Sequence, residues 1–320
     1  MLLHARYLQT PYKAVLPRNR RAMFRERWKP AVFGYFAGGY DGSSFKTRCD
    51  KLTFSTSTTA SNTVGDLSVA RHPASVSDCS KYGYWAGGWN GSATVATADR
   101  ILFSTVTAAN TGSNLTVAKY MVSLSDSYFY FGGGYSMWNT TATTDKITFS
   151  TSVTAASTVS NLSQSRDRTG ALSDRRAYWS GGNSTTVVVT TCRIIFATNT
   201  TAAWTAGNLS TATRPGVSDG KYFGYMAGGD TAFIVTCYKM TFSLGTYASN
   251  TVGNLSSVAF MMTSSDIKYG YFAGGESAGG WGTTARTDRI LFSTGTTAAC
   301  TSANLSLSRG WLAGLSDMCV

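Results

Sequence analysis

A chain of 320 residues is long enough to bury a large core, as one big domain or two ordinary ones. Only 14% of its residues are charged, 13% are aromatic and 33 are glycine. Long Leu/Glu/Lys/Ala-rich windows are missing, which excludes a helical protein, and short Thr-, Val-, Tyr- and Phe-bearing runs broken by Gly and Asn predict an all-β one.

The first 30 residues hold a disproportionate share of the net charge of +12: eight Lys or Arg against Glu26, a net +7, leaving 20 against 15, a net +5, for the rest. The stretch "YKAVLPRNRRAMFRERWKP", with Arg18, Arg20, Arg21, Arg25 and Arg27, reads as an anchoring arm, 1-30, that reaches other proteins of a larger assembly. Nucleic acid as a partner is expected only through this arm. "MLLHARYLQT" has no continuous apolar region and no cleavage-site pattern, so no secretory signal is expected. No apolar run approaches the roughly 20 residues of a membrane span.

From residue 31 the chain repeats itself. Paired glycines fall at Gly38-Gly39, Gly87-Gly88, Gly133-Gly134, Gly181-Gly182, Gly228-Gly229 and Gly274-Gly275, at intervals of 49, 46, 48, 47 and 46 residues. Each unit runs in the same order: an aromatic strand ending in Gly-Gly, as in "GYFAGG" at 34–39; a variable loop; a strand such as "DKLTF"; and a Ser/Thr-rich hairpin. A strand predicted to end in Asn-Leu follows, and then a run of small residues closing on Ser-Asp. In the third strand Leu52/Phe54, Ile101/Phe103, Ile147/Phe149, Ile194/Phe196, Met240/Phe242 and Ile290/Phe292 fall two residues apart, pointing to one side. A period of two with a constant Phe predicts a face packed against a neighbouring unit. Small side chains before Ser-Asp suit strands crowded around an axis, so the expectation is a β-propeller of six blades over 31-320, four strands to a blade. The first unit lacks a preceding Ser-Asp strand and the chain finishes with an extra one, "GWLAGLSDMCV", so the C-terminal strand should complete the first blade.

This pattern resembles the kelch family, whose repeats combine a Gly-Gly strand, a loop and a later aromatic pair in four-stranded propeller blades. It departs from the usual kelch pattern in the fourth strand, where only Trp204 stands near the characteristic Trp. The simple "FSTxTTAANTxxNLSxAR" style is similar to kelch-like repeats of bacteriophage and other virion-associated proteins.

The inventory for catalysis is poor. His4 and His72 are the only histidines, so neither a metal site nor a Ser-His-Asp triad is expected, and no cofactor is. Cys49, Cys79, Cys192, Cys237, Cys300 and Cys319 show no metal spacing and read as isolated buried thiols. The repeated Asp of Ser-Asp reads as a turn residue accepting backbone N–H groups. The cations Lys51, Arg100, Lys146, Arg193, Lys239 and Arg289 in strand three read as structural.

The loops after Gly-Gly are the unlike parts of the units. They carry Tyr40, Trp89, Tyr135, Trp138, Phe233 and Trp281, and the connections that emerge at the same end carry Arg71, Lys119, Arg166, Arg214 and Arg309. Aromatic rings stack on sugars or anchor proteins and guanidinium groups pair with carboxylate or phosphate, so these residues form the expected recognition surface for a surface glycan or acidic ligand. The function expected is a non-enzymatic binding or structural module of a virion, such as a tail-fibre, baseplate or capsid-surface protein. The alternatives are a carbohydrate-active enzyme on the same scaffold and a cytoplasmic kelch-like adaptor.

Overall fold

The computed structural model describes residues 31–317 apart from 79, 126–127, 137–138, 149, 168–169, 174–175, 185, 187, 211–215, 230–233, 258–261 and 277–281. The basic arm, 1–30, lies outside the described residues. The chain forms six antiparallel four-stranded sheets, the third with a short extra strand, Asn139–Thr140, on its second strand. The innermost strands of adjacent sheets lie against one another in a closed ring, which makes the fold a six-bladed β-propeller.

Blade 1 joins the two ends of the sequence. Its second, third and outermost strands are Phe33–Ala37, Cys49–Thr53 and Thr58–Ser61, and its innermost is Ala313–Ser316. Gly34 pairs with Ser316 and Ala37 with Ala313 on one side, and Phe33 pairs with Thr53 on the other. Blades 2 to 6 run innermost to outermost in sequence; blade 2, for example, is His72–Ser77, Tyr82–Trp89, Ala98–Leu102 and Thr107–Asn110. One expectation needs correction. Asn-Leu does not end the outermost strand, because a 3-10 turn such as Thr158–Ser160 intervenes. The repeated Asn or Asp side chain then accepts the first backbone N–H of the third strand in every blade, from Cys49 to Asp66 at 2.7 Å and from Thr287 to Asn304 at 2.9 Å. The Leu that follows is buried in all six.

The core sits between blades rather than within them. The constant Phe of the third strand meets a buried Tyr of the preceding blade: Phe103 on Tyr35 at 5.8 Å, Phe196 on Tyr130, Phe242 on Tyr178, Phe292 on Tyr225. Phe54 meets Tyr271 at 5.5 Å, and this contact between blades 1 and 6 closes the ring. Each such pair contributes about 0.5–1.5 kcal/mol beyond its area burial. At the rim, threonines of the outermost strands donate to carbonyls of the preceding blade's 3-10 turn, as Thr59 to Ala303 and Thr201 to Ser160, which accounts for the Ser/Thr-rich texture. The Ser-Asp carboxylates serve their turns: Asp78 accepts from the backbone N–H of Ser80, Lys81 and Tyr82, and Asp219 from Lys221, Tyr222 and Phe223.

Cys49, Cys192, Cys237 and Cys300 are free and buried; Cys79 and Cys319 lie outside the described residues. Burial pushes the Cys49 and Cys237 thiols up to about 12. At pH 8 neither should carry the thiolate that reacts. Alkylation of the folded protein followed by peptide mapping should leave all four unmodified, and unfolding should expose them; labelling of Cys49 or Cys237 in the folded state would contradict the packing described here.

Candidate functional site

The end of the propeller that carries the variable loops is organised by the Gly-Gly turns. The first glycine of each pair has φ between +64° and +75°. At the second, the backbone N–H of Gly39, Gly88, Gly134 and Gly275 donates to the carbonyls of Arg71, Lys119, Arg166 and Arg309, at 2.7 to 2.9 Å. The chain approaches so closely that a Cβ on Gly88, at φ +119°, would lie 2.2 Å from the His72 carbonyl oxygen. Only glycine fits there.

The side chains of those four cations are buried completely, which corrects the expectation of an exposed cationic surface. Arg71 pairs with Asp99 at 2.9 Å and donates to the Trp85 carbonyl; Lys119 pairs with Asp145 at 3.1 Å and donates to Thr143. Arg309 pairs with Asp50 at 2.5 Å and donates to the carbonyls of Gly38 and Arg48. Each cation therefore joins two blades, its carbonyl holding the Gly-Gly turn of one and its side chain the third strand of the next. Burial lowers the pKa of Arg71, Lys119 and Arg309, and the facing carboxylate opposes that shift.

The pair is complete in blades 1, 2 and 3 and altered in the other three. In blade 4 Cys192 stands where blades 1, 2, 3 and 6 have Asp, and Arg166 turns to the Thr190 carbonyl at 2.6 Å and the Gly181 carbonyl at 3.2 Å. In blade 5 the third-strand residue is Tyr238, hydrogen-bonded to Ser210, and the residue in register with the cations is Thr213. Arg214 is one position out of register and lies outside the described residues. In blade 6 Ala259 takes the cation's position, and Asp288 is held by Ser256 and by Arg286 at 3.6 Å. A buried carboxylate without a cation is costly, and in blade 6 the Arg286 guanidinium and the Ser256 N–H offset that cost.

The aromatic half of the expected surface fares differently. Tyr40, Trp89 and Tyr135 are half-buried at the loop end; Trp138, Phe233 and Trp281 lie outside the described residues. Tyr40 belongs to a cluster over the seam of blades 1 and 2. Its ring is 5.3 Å from Phe45 and 5.7 Å from Trp311, and Trp311 is also 6.2 Å from Phe45 and 6.2 Å from His72. The three contacts of Trp311 have interplanar angles of 25° to 28°, so its indole lies nearly parallel to each neighbour, while Tyr40 and Phe45 are tilted 51° to one another. Trp89 pairs across the sheet with His72. Gly91, in the next loop, approaches the Phe45 ring, so the two loops meet.

Trp311 holds this set together; the sequence reading passed over it and Phe45, and weighed His72 only for metal or triad chemistry. The signal was present: blade 1 has one more residue between its cation and its Ser-Asp, "RGWLAGLSD" against "RHPASVSD" in blade 2. The insertion puts Trp311 at φ +55°, a backbone conformation that costs a bulky residue about 1–3 kcal/mol and is commonest at functional sites. Beside the cluster Asp41 pairs with Lys46 at 2.7 Å and caps its own loop through the N–H groups of Ser43 and Ser44.

No family model matches the chain, and no curated protein matches its sequence. Chemically, a half-buried tier of rings with one left-handed tryptophan offers flat apolar faces and few titrating groups. Among the described residues no three His, Cys, Asp or Glu side chains group as ligands for a metal. The buried carboxylates at this end, Asp50, Asp99, Asp145 and Asp288, are engaged by cations or loop N–H groups.

Proposed function

We propose that the protein is a non-enzymatic binding module whose loop end takes a saccharide on the ring tier centred on Trp311. The observation that carries this reading is the tier itself: half-buried aromatic faces gathered on Trp311, whose own backbone is strained, match the apolar faces of sugar rings. The finer context is a kelch-like propeller of a virion, anchored in its particle by the basic arm and turning the loop end to a host-surface glycan. The Gly-Gly spacing, the Ser/Thr-rich repeat texture and the charge of residues 1–30 support that context.

Binding to immobilised oligosaccharides tests it. The full chain and a chain lacking residues 1–30 should bind alike, and Trp311→Ala should lose about 2 kcal/mol, roughly thirtyfold in affinity. The truncated chain should fail to enter the particle. No saccharide binding by the parent, or unchanged binding by Trp311→Ala, would end the reading.

A further inference from the structure

The opposite end of the propeller carries the turns between the innermost and second strands and those between the third and outermost. The two sets of turns are adjacent: the N–H of Phe242 donates to the carbonyl of Tyr222, that of Phe292 to Lys268 and that of Phe54 to Val32. Three consecutive blades, 5, 6 and 1, expose large apolar side chains here: Tyr222 is 56% exposed, Leu244 68%, Ile267 52% and Val32 51%. Lys221 and Lys268 stand exposed among them, the latter with its ammonium over the Tyr269 ring. The nearby carboxylates are turned inward to the backbone: Asp219 to Lys221 and its neighbours, Asp266 to Lys268 and Tyr269, Asp317 to Val32. Chain position adds a second observation. Val32 belongs to the patch and follows by two residues the segment 1–30 with its net +7, which lies outside the described residues.

We propose that this patch is a docking surface for an acidic, partly apolar protein surface. The inference rests on the reading of the protein as an anchored module and adds that the arm and the patch seat it together, leaving the loop end outward. An apolar patch rimmed by cations buries favourably against a protein, whereas a phosphate backbone gains nothing from Leu244, Ile267 and Val32. Nor do these side chains suit a lipid surface. They stand singly on separate short turns rather than along one amphipathic element, the form that buries in headgroups.

The test measures binding of the full chain, at physiological salt, to four probes: a Glu/Leu amphipathic peptide, poly-glutamate of equal charge, a single-stranded DNA oligonucleotide and vesicles containing anionic lipid. The peptide should bind roughly tenfold tighter than poly-glutamate, and Tyr222→Ser with Leu244→Ser should remove that advantage. Val64→Ser with Val252→Ser, exposed on the 3-10 turns, should leave it intact and serves as the folding control. Poly-glutamate, oligonucleotide or vesicles binding as tightly as the peptide, or a patch variant that binds the peptide unchanged, would overturn the proposal. Saccharide binding by the same patch variant reports on the loop end separately, so failure of one reading is not failure of the other.

Discussion

Replacing Arg309 by leucine should cost about 3–5 kcal/mol, measured as the shift in denaturant-induced unfolding. The guanidinium is fully buried and answers four acceptors in blade 1: the Asp50 carboxylate and the carbonyls of Gly38, Arg48 and Phe36. Leucine leaves Asp50 ionised in the interior with no cation, and the uncompensated charge accounts for most of the loss. Removing the carboxylate as well, with Asp50→Leu, should recover more than half, because a buried ion pair replaced by apolar residues is often neutral. Blade 5 already lives this way, with Tyr238 and Thr213 in the two positions. Arg309→Lys should fall between, since Lys119 fills the same role opposite Asp145 but a lysine reaches fewer acceptors. A loss below about 1 kcal/mol for Arg309→Leu, within the range of an exposed pair, would show that the lock is not structural.

Deleting residues 311–320 should have the larger effect. The chain then lacks Ala313–Ser316, and Phe33–Ala37 loses the partner of its inner edge. Ser264 loses its bonds to Leu315 and Ser316, and Ser75 its bond to Gly314, so both neighbouring blades are unstitched from the ring. An exposed inner edge pairs with whatever strand it meets. The expected outcome is concentration-dependent association by size-exclusion chromatography and loss of a sharp thermal transition. A synthetic peptide covering 311–317 should restore the monomer. A truncated chain that stays monomeric with an unchanged midpoint would mean that blade 1 closes by other contacts.

Architecture was legible in the sequence because it is repeated. Six copies of Gly-Gly, of the alternating apolar-Phe strand and of Ser-Asp fix blade count, strand order and the seam, and the structure has each of them. Asn-Leu was placed at a strand end because a single turn of 3-10 helix has no periodicity to announce it. The cations were misjudged for a physical reason: a lone Arg at the head of a strand looks solvent-bound until its Asp, 28 residues further on in the case of Arg71, is seen to share its register. Phe45, His72 and Trp311 escaped because each is a departure from the repeat rather than part of it, and such departures acquire meaning only when three distant loops are brought over one seam.

The stretch from one buried cation to the residue before the next is a complete unit. Residues 71–118 contain Arg71, the Asp99 that neutralises it, and the Gly88 N–H that donates to the carbonyl of the following cation, Lys119. Copying that stretch in tandem would add a blade whose charges already balance and whose turn already accepts its successor. Copying from blade 5 or 6 would not do so on the same terms, since those blades settle their third-strand position with Tyr238 or borrow Arg286. The number of blades is thus open to change by duplication at some places along the ring and guarded at others.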